Sequence, residues 1–256
     1  MSFYFYCTED FSKGHIFSNI FYFTFQELKL FRLEKFGDKM KFLTLDQTAL
    51  EQALSSRSKK NRIIICGSSE EQEYIEEAVE ETLETAQQII DASENIKALT
   101  WFDAKKSEIE EERGDLSETV GEWPGEVTNK QGFTLDHDIL SGKALTEVLA
   151  VELEVDLSWH IPAHLKFGGW NDCPLTDVQC AVWKYWEEKY GAVIIGASHD
   201  VIEAYVENPP VTQQEAMQLA WEQYLYCYDI VDQGVETIAN LAAILMNGKY
   251  WYFWWD

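Results

Sequence analysis

The stretch Tyr250-Trp251-Tyr252-Phe253-Trp254-Trp255-Asp256 constrains the fold more than any other part of the chain. Six large rings in succession, left in water, would form an apolar patch of a kind that soluble monomers rarely expose. The segment is therefore expected inside the protein, as a closing strand and core plug anchored by Trp251, Trp254 and Trp255. Asp256 is expected near the histidine and asparagine loops upstream.

The 256 residues suit one large domain or two smaller ones, and 46% hydrophobic residues are ample for a core. Charge is unevenly placed within the net −25. Residues 1–60 carry nine cationic and seven acidic side chains, 61–125 five and 18, and 126–256 six and 20. Such a surplus repels phosphate backbones and anionic lipid, which argues against nucleic acid and membrane as partners and in favour of a basic protein. Five cysteines, Cys7, Cys66, Cys173, Cys180 and Cys227, fall at irregular spacings with no CxxC pair, which suits a reducing compartment. The N-terminus lacks a basic start, and Glu9, Asp10 and Lys13 interrupt any apolar signal core. A soluble cytoplasmic protein is the expectation.

Residues 1–40 are aromatic-rich and weakly basic, and Met40-Lys41-Phe42-Leu43 reads as a natural start. Two readings stand: an added amphipathic element over the core, or translation beginning at Met40. Residues 41–103 then read as a small β-α-β lobe. A helix over 45–54 precedes the β-branched strand Arg62-Ile63-Ile64-Ile65-Cys66-Gly67. A helix over 70–92 follows, with Tyr74, Ile75, Ala78, Val79, Leu83, Ala86, Ile89 and Ile90 in one stripe and glutamates on the other face. Ile96 to Phe102 reads as a second strand. Gly114, Gly121, Pro124 and Gly125, among alternating charges, mark 104–132 as a linker.

The C-terminal domain, 133–256, is expected to begin with a helix running into a strand over 144–155. Pro174 then opens a helix carrying Val178, Ala181, Val182, Tyr185, Trp186 and Tyr190 inward, and Gly191 ends it. Strands over 192–197 and 201–206 flank a Ser198-His199-Asp200 hairpin, and Thr212 caps a helix over 213–227. Gly234 precedes a further helix through Leu245. The expected class is α/β or α+β, with small mixed sheets covered by helices in two lobes.

Four ordered motifs carry a resemblance: Gly168-Gly169-Trp170-Asn171-Asp172-Cys173-Pro174, Tyr185 to Ala192, Tyr228-Asp229-Ile230-Val231-Asp232-Gln233-Gly234, and the aromatic ending. Over about 155–256 the chain resembles the DUF4253 domain family. The resemblance implies a bacterial source and a domain boundary, and no activity, cofactor or catalytic set.

Catalytic candidates are Cys173, His160, His164, His199 and Asp172. A thiol at a helix N-terminus has its thiolate favoured by the dipole; in the simpler reading Asp172 or Asn171 caps the helix and Cys173 is a small buried hydrophobe. His160 and His164 have one-face spacing, but Pro162 between them argues against a continuous helix and against a metal site. His199-Asp200 fits a hairpin turn as well as a catalytic pair. Candidate binding residues are Trp170, Asn171, Asp172, Asp200, Asp229, Asp232 and Gln233; the last three are costly if buried without partners. Gly67-Ser68-Ser69 lacks a GxGxxG or Walker pattern, so no cofactor is expected. These features point to a non-enzymatic acidic binding protein, of immunity or antitoxin type, that neutralises a basic partner. The alternative is a hydrolase or transferase with a Cys/His/Asp pocket.

Overall fold

The computed structural model describes residues 40–56, 62–125, 127, 132–138 and 140–256. Residues 1–39, with Cys7, lie outside the described residues, as does the question of the start residue.

Among the described residues, alternating or continuous apolar runs build six strands: β1 (Met40–Asp46), β2 (Arg62–Gly67), β3 (Glu147–Leu153), β4 (Ala192–Ala197), β5 (Val201–Val206) and β6 (Tyr250–Trp254). They form one open sheet in the order β1-β3-β2-β4-β5-β6. Every pairing is antiparallel except that of β2 with β4, which run parallel with Ile65 beside Gly196. The class is mixed α/β, as expected, but the two anticipated lobes share this one sheet, because β3 threads between β1 and β2.

Helices are α1 (Gln47–Ser56), α2 (Glu71–Glu81), α3 (Ala86–Ser93), α4 (Ala98–Arg113), α5 (Ser117–Val120), α6 (Ile161–Leu165), α7 (Thr176–Tyr190), α8 (Gln213–Tyr226) and α9 (Ile238–Leu245). Strand alternation splits the core between two faces. Ile64, Cys66, Leu149, Val151, Ile194, Ile202, Trp251 and Phe253 belong to a large cluster shared with the helices. On the other face Leu45, Leu50, Ile65, Val148 and Ala150 form a smaller cluster with Phe133 and Leu135 packed against it.

The aromatic ending does close the core. Trp251, Phe253 and Trp255 are buried, and Trp186 stacks on Phe253 at 5.5 Å and meets Trp251 edge-on at 5.6 Å. Each ring of this size removes roughly 150–250 Å² from water, about 4–6 kcal/mol gross at ~25 cal/mol per Å². Trp254, one residue out of phase, points to the opposite face and donates from Nε1 to Asp200.

Several expected elements differ. The apolar run Ile96 to Phe102 is not a strand: from Ala98 onward it belongs to α4, which buries Ala98, Phe102 and Ile109 at helical spacing. The single helix over 70–92 is two: the chain leaves α2 at Thr82, and Thr85 starts α3 with a capping box to Gln88. The supposed linker contains the end of α4 and all of α5, with Leu116 buried; its residues 126 and 128–131 lie outside the described residues. Residues 144–155 hold strand β3 without the preceding helix. Leu175, rather than Asn171 or Asp172, occupies the N-cap of α7, so Pro174 lies before the helix. Pro162 does not break its segment; it sits in the first turn of α6, where its missing N–H costs nothing. The hairpin, the Gly191 stop and the Thr212 cap are as expected, and Glu215 completes the cap as a capping box.

Candidate functional site

The sequence-derived residues gather in three places. The first surrounds Asp256. Gly168 has φ +117°, and a Cβ there would lie 2.2 Å from the Pro174 carbonyl, so only glycine permits the tight turn over 168–174. Within it Asn171 adopts left-handed φ and its Nδ2 donates to the Asp256 backbone carbonyl at 2.5 Å. Asp172 accepts from the Tyr228 hydroxyl, and Trp170 packs edge-on to Phe167 at 4.8 Å. A π-helical turn, Ile230–Val235, presents Asp232 and Gln233. Buried Asp229 accepts from Gln233 Nε2 at 2.9 Å and from the Asp256 amide at 3.3 Å. Asp232 pairs with Arg113 at 2.5 Å, whose guanidinium lies 4.1 Å over the Tyr228 ring. Thus Trp170, Asn171, Asp172, Asp229, Asp232 and Gln233 converge, with most of their polar atoms committed to one another, to Arg113 and to Tyr228.

Cys173 lies beneath this cluster, 5% exposed, with Gln179 Nε2 donating to its sulfur at 3.2 Å. Burial pushes its thiol well above the ordinary range, and the amides of Gln179 and Gly169 offset only part of that. None of His160, His164 or His199 is among the polar neighbours of Cys173. A thiol held protonated without a base is a poor nucleophile.

The second place is the turn into α6. His160 packs edge-on to Trp159 at 4.0 Å, and burial, with His164 and Lys184 nearby, depresses its pKa to about 4. At neutral pH it is an uncharged imidazole. Among the described residues no three His, Cys, Asp or Glu side chains converge closely enough to hold a metal ion.

The third place is the carboxyl end of the parallel pair, where open α/β sheets commonly hold ligands. Glu71, in the first turn of α2, accepts from the His199 amide at 2.8 Å and lies 2.9 Å from His199 Nδ1. The imidazole, 44% exposed, stacks on Tyr74 at 4.6 Å. Ser198 donates to Asp200, which also accepts from Trp254 Nε1 at 3.1 Å. Asp200 therefore joins the hairpin to β6, and its carbonyl accepts from the Trp255 amide at 3.2 Å, one residue before Asp256.

Sequence reasoning passed over three carboxylates that the fold places tellingly: Glu71, Glu203 in β5 and Glu222 in α8. For the two buried ones a signal existed, since each is a lone acid amid apolar neighbours, Val201-Ile202-Glu203-Ala204 and Trp221-Glu222-Gln223-Tyr224. Glu222 accepts from Tyr185, Trp186, Lys189 and Gln218 and ties α7 to α8.

A family model described as a domain of unknown function, DUF4253, matches residues 149–256, in agreement with the four motifs. No curated protein and no solved structure matches the chain. The matched segment holds most of β3 and all of β4 to β6, yet β3 reaches β4 only through β2, which lies outside the match. No helix among the described residues is long and apolar enough to cross a membrane.

Proposed function

We propose that this chain is a non-enzymatic acidic binding module that captures and neutralises a basic protein in the cytoplasm, as immunity and antitoxin proteins do. The observation that supports this reading is the exposed carboxylate surface of α2 and α4. Glu73, Glu77 and Glu81 recur at four-residue spacing on α2, and Glu108, Glu110, Glu111 and Glu112 are exposed on α4. The cations of α4 are already engaged: Lys105 with Glu108, Lys106 with Glu110 and Arg113 with Asp232. A field of one sign accelerates encounter with a cationic partner and fades with salt. Four buried, unbridged cysteines fit a reducing compartment.

The test is affinity purification with the full chain at low and high ionic strength, followed by titration of the recovered partner. Affinity should fall steeply with salt and drop at least tenfold in the Glu111→Lys, Glu112→Lys double variant. Recovery of no protein at low salt, or binding indifferent to salt and to the charge reversal, removes the reading.

A second reading, an enzyme, has one observation in its favour. Glu71 holds Nδ1 of a half-exposed His199, the arrangement that orients an imidazole as a general base. Turnover of any hydrolysable substrate that disappears in His199→Gln would favour it over the binding module.

A further inference from the structure

Strand β5 carries one acid, Glu203, at 1% exposure. A carboxylate taken that far from water is costly unless donors surround it. Here the donors come from a single short segment that crosses the sheet. Thr134 gives its amide to both carboxylate oxygens at 2.9 and 3.1 Å and its hydroxyl at 2.9 Å, and Leu135 gives its amide at 3.0 Å. Besides these bonds, Phe133 and Leu135 pack on the sheet, and Asp136 and Asp138 are hydrogen-bonded to Leu145 and Lys143 ahead of β3. Phe133 and Leu135 are half-buried, whereas Gly132, Thr134, His137 and Asp138 are exposed. The two apolar side chains fit because β4 has glycine beneath them: a Cβ on Gly196 would lie 2.7 Å from Leu135 and 3.0 Å from Phe133. Leu135 also covers Gly67 at the end of β2, its carbonyl 3.5 Å from where a Cβ would stand.

We propose that residues 132–138 form a strap over the carboxyl ends of β2 and β4, and that protonation of Glu203 closes it. The closed strap excludes water from the carboxyl group, and burial holds its pKa up at about 7 although Thr134 and Leu135 hydrogen-bond to it. Lifting the strap lets water in and returns the group to the ordinary carboxylate range near 4.3. The closed state therefore binds the proton more tightly. Closure is fully favoured below the open-state value and loses that contribution as pH rises through about 7. In the protonated state the carboxyl O–H donates to Thr134 Oγ1 while the other oxygen keeps the two amides. Asp136, on the strap and paired with His137, adds to the upward shift. The other ionisable neighbour is Tyr252 on β6, which also has Asp200 of the hairpin beside it; β4 contributes none. A strap of this kind sets access to the Glu71–His199 end of the sheet by pH.

Hydrogen exchange on the full chain tests this directly. Corrected for intrinsic rates, protection of the Thr134 and Leu135 amides should rise about tenfold from pH 8 to pH 6, while that of Ile64 and Ile65 stays level. In Glu203→Gln the rise should vanish, and in His137→Gln it should persist. A flat profile in the wild type, a rise retained in Glu203→Gln, or its loss in His137→Gln overturns the proposal. Should Glu203→Gln not fold, carbon NMR of the Glu203 carboxyl in the wild type decides: a midpoint near 7 supports the strap, and one below about 5 overturns it.

Discussion

Replacing Glu222 separates a carboxylate that holds the core together from one that merely decorates it. Its side chain is 7% exposed and accepts from Trp186 Nε1 at 3.2 Å, Tyr185 at 3.0 Å, Lys189 at 3.1 Å and Gln218 at 3.2 Å. In Glu222→Ala the indole N–H of fully buried Trp186 loses its acceptor, which costs about 1–3 kcal/mol, and the charge-assisted bonds of Tyr185 and Lys189 go with it. Lys189 is one-third exposed and recovers hydration, so its share stays below about 1 kcal/mol. The total is about 3 kcal/mol. Glu222→Gln retains an acceptor for Trp186 and loses mainly the pairing with Lys189, about 1 kcal/mol. Urea unfolding followed by far-UV circular dichroism should show midpoints in the order wild type, Gln, Ala with one common slope. At about 3 kcal/mol per molar, Ala should fall roughly 1 M below wild type. An alanine variant within about 1 kcal/mol of wild type, or a glutamine variant as damaged as alanine, refutes the claim that stranded donors carry the cost.

The buried thiols and the aromatic ending give further expectations. Burial holds Cys66, Cys173, Cys180 and Cys227 protonated, Cys180 with its pKa pushed up to about 12. Mass-spectrometric alkylation at pH 8 should leave all four unmodified until the protein unfolds; rapid native labelling of Cys173 would revive it as a nucleophile. Because the unfolded chain ionises these thiols near pH 8.5, raised folded values mean that stability is intact below that pH and declines above it, by up to about 1.4 kcal/mol per thiol per pH unit. Thermal melts between pH 8 and 10 check the sign. Removal of residues 250–256 strips Trp251, Phe253 and Trp255 from the core and should abolish soluble folding. A truncated chain that keeps its circular dichroism and cooperative melt would place those rings at an interface instead.

Legibility followed the range of the interactions. The Ser198–Asp200 hairpin, the Gly191 stop and the Thr212 cap are set by residues within four positions of one another, and all were readable. Ile96 to Phe102 misled because a short apolar run fits a buried strand or a buried helix face equally, and tertiary packing against Trp186 decided for the helix. The break between α2 and α3 did have a local signal, Thr85-Ala86-Gln87-Gln88, which the continuous apolar stripe obscured. At the candidate sites, residue types were visible and their partners were not. Arg113 meets Asp232 across 119 positions through the packing of α4 on α8, and Glu71 meets His199 across 128 through the pairing of β2 with β4.

The insertion of β3 between β1 and β2 also bears on the order in which a ribosome delivers this chain. The first two strands are neighbours in sequence but not in the sheet, so neither finds its partner until residue 153 has been made. At about 5–20 residues per second that is a wait of roughly 4–17 s after β2 emerges. Throughout it, Ile63, Ile64 and Ile65 remain an unpaired, aggregation-prone β-branched segment. What emerges directly behind them is the most acidic part of the sequence, with 18 acidic residues against five cationic ones over 61–125. Mutual repulsion between nascent chains would disfavour pairing of that segment with its copies until β3 has been made.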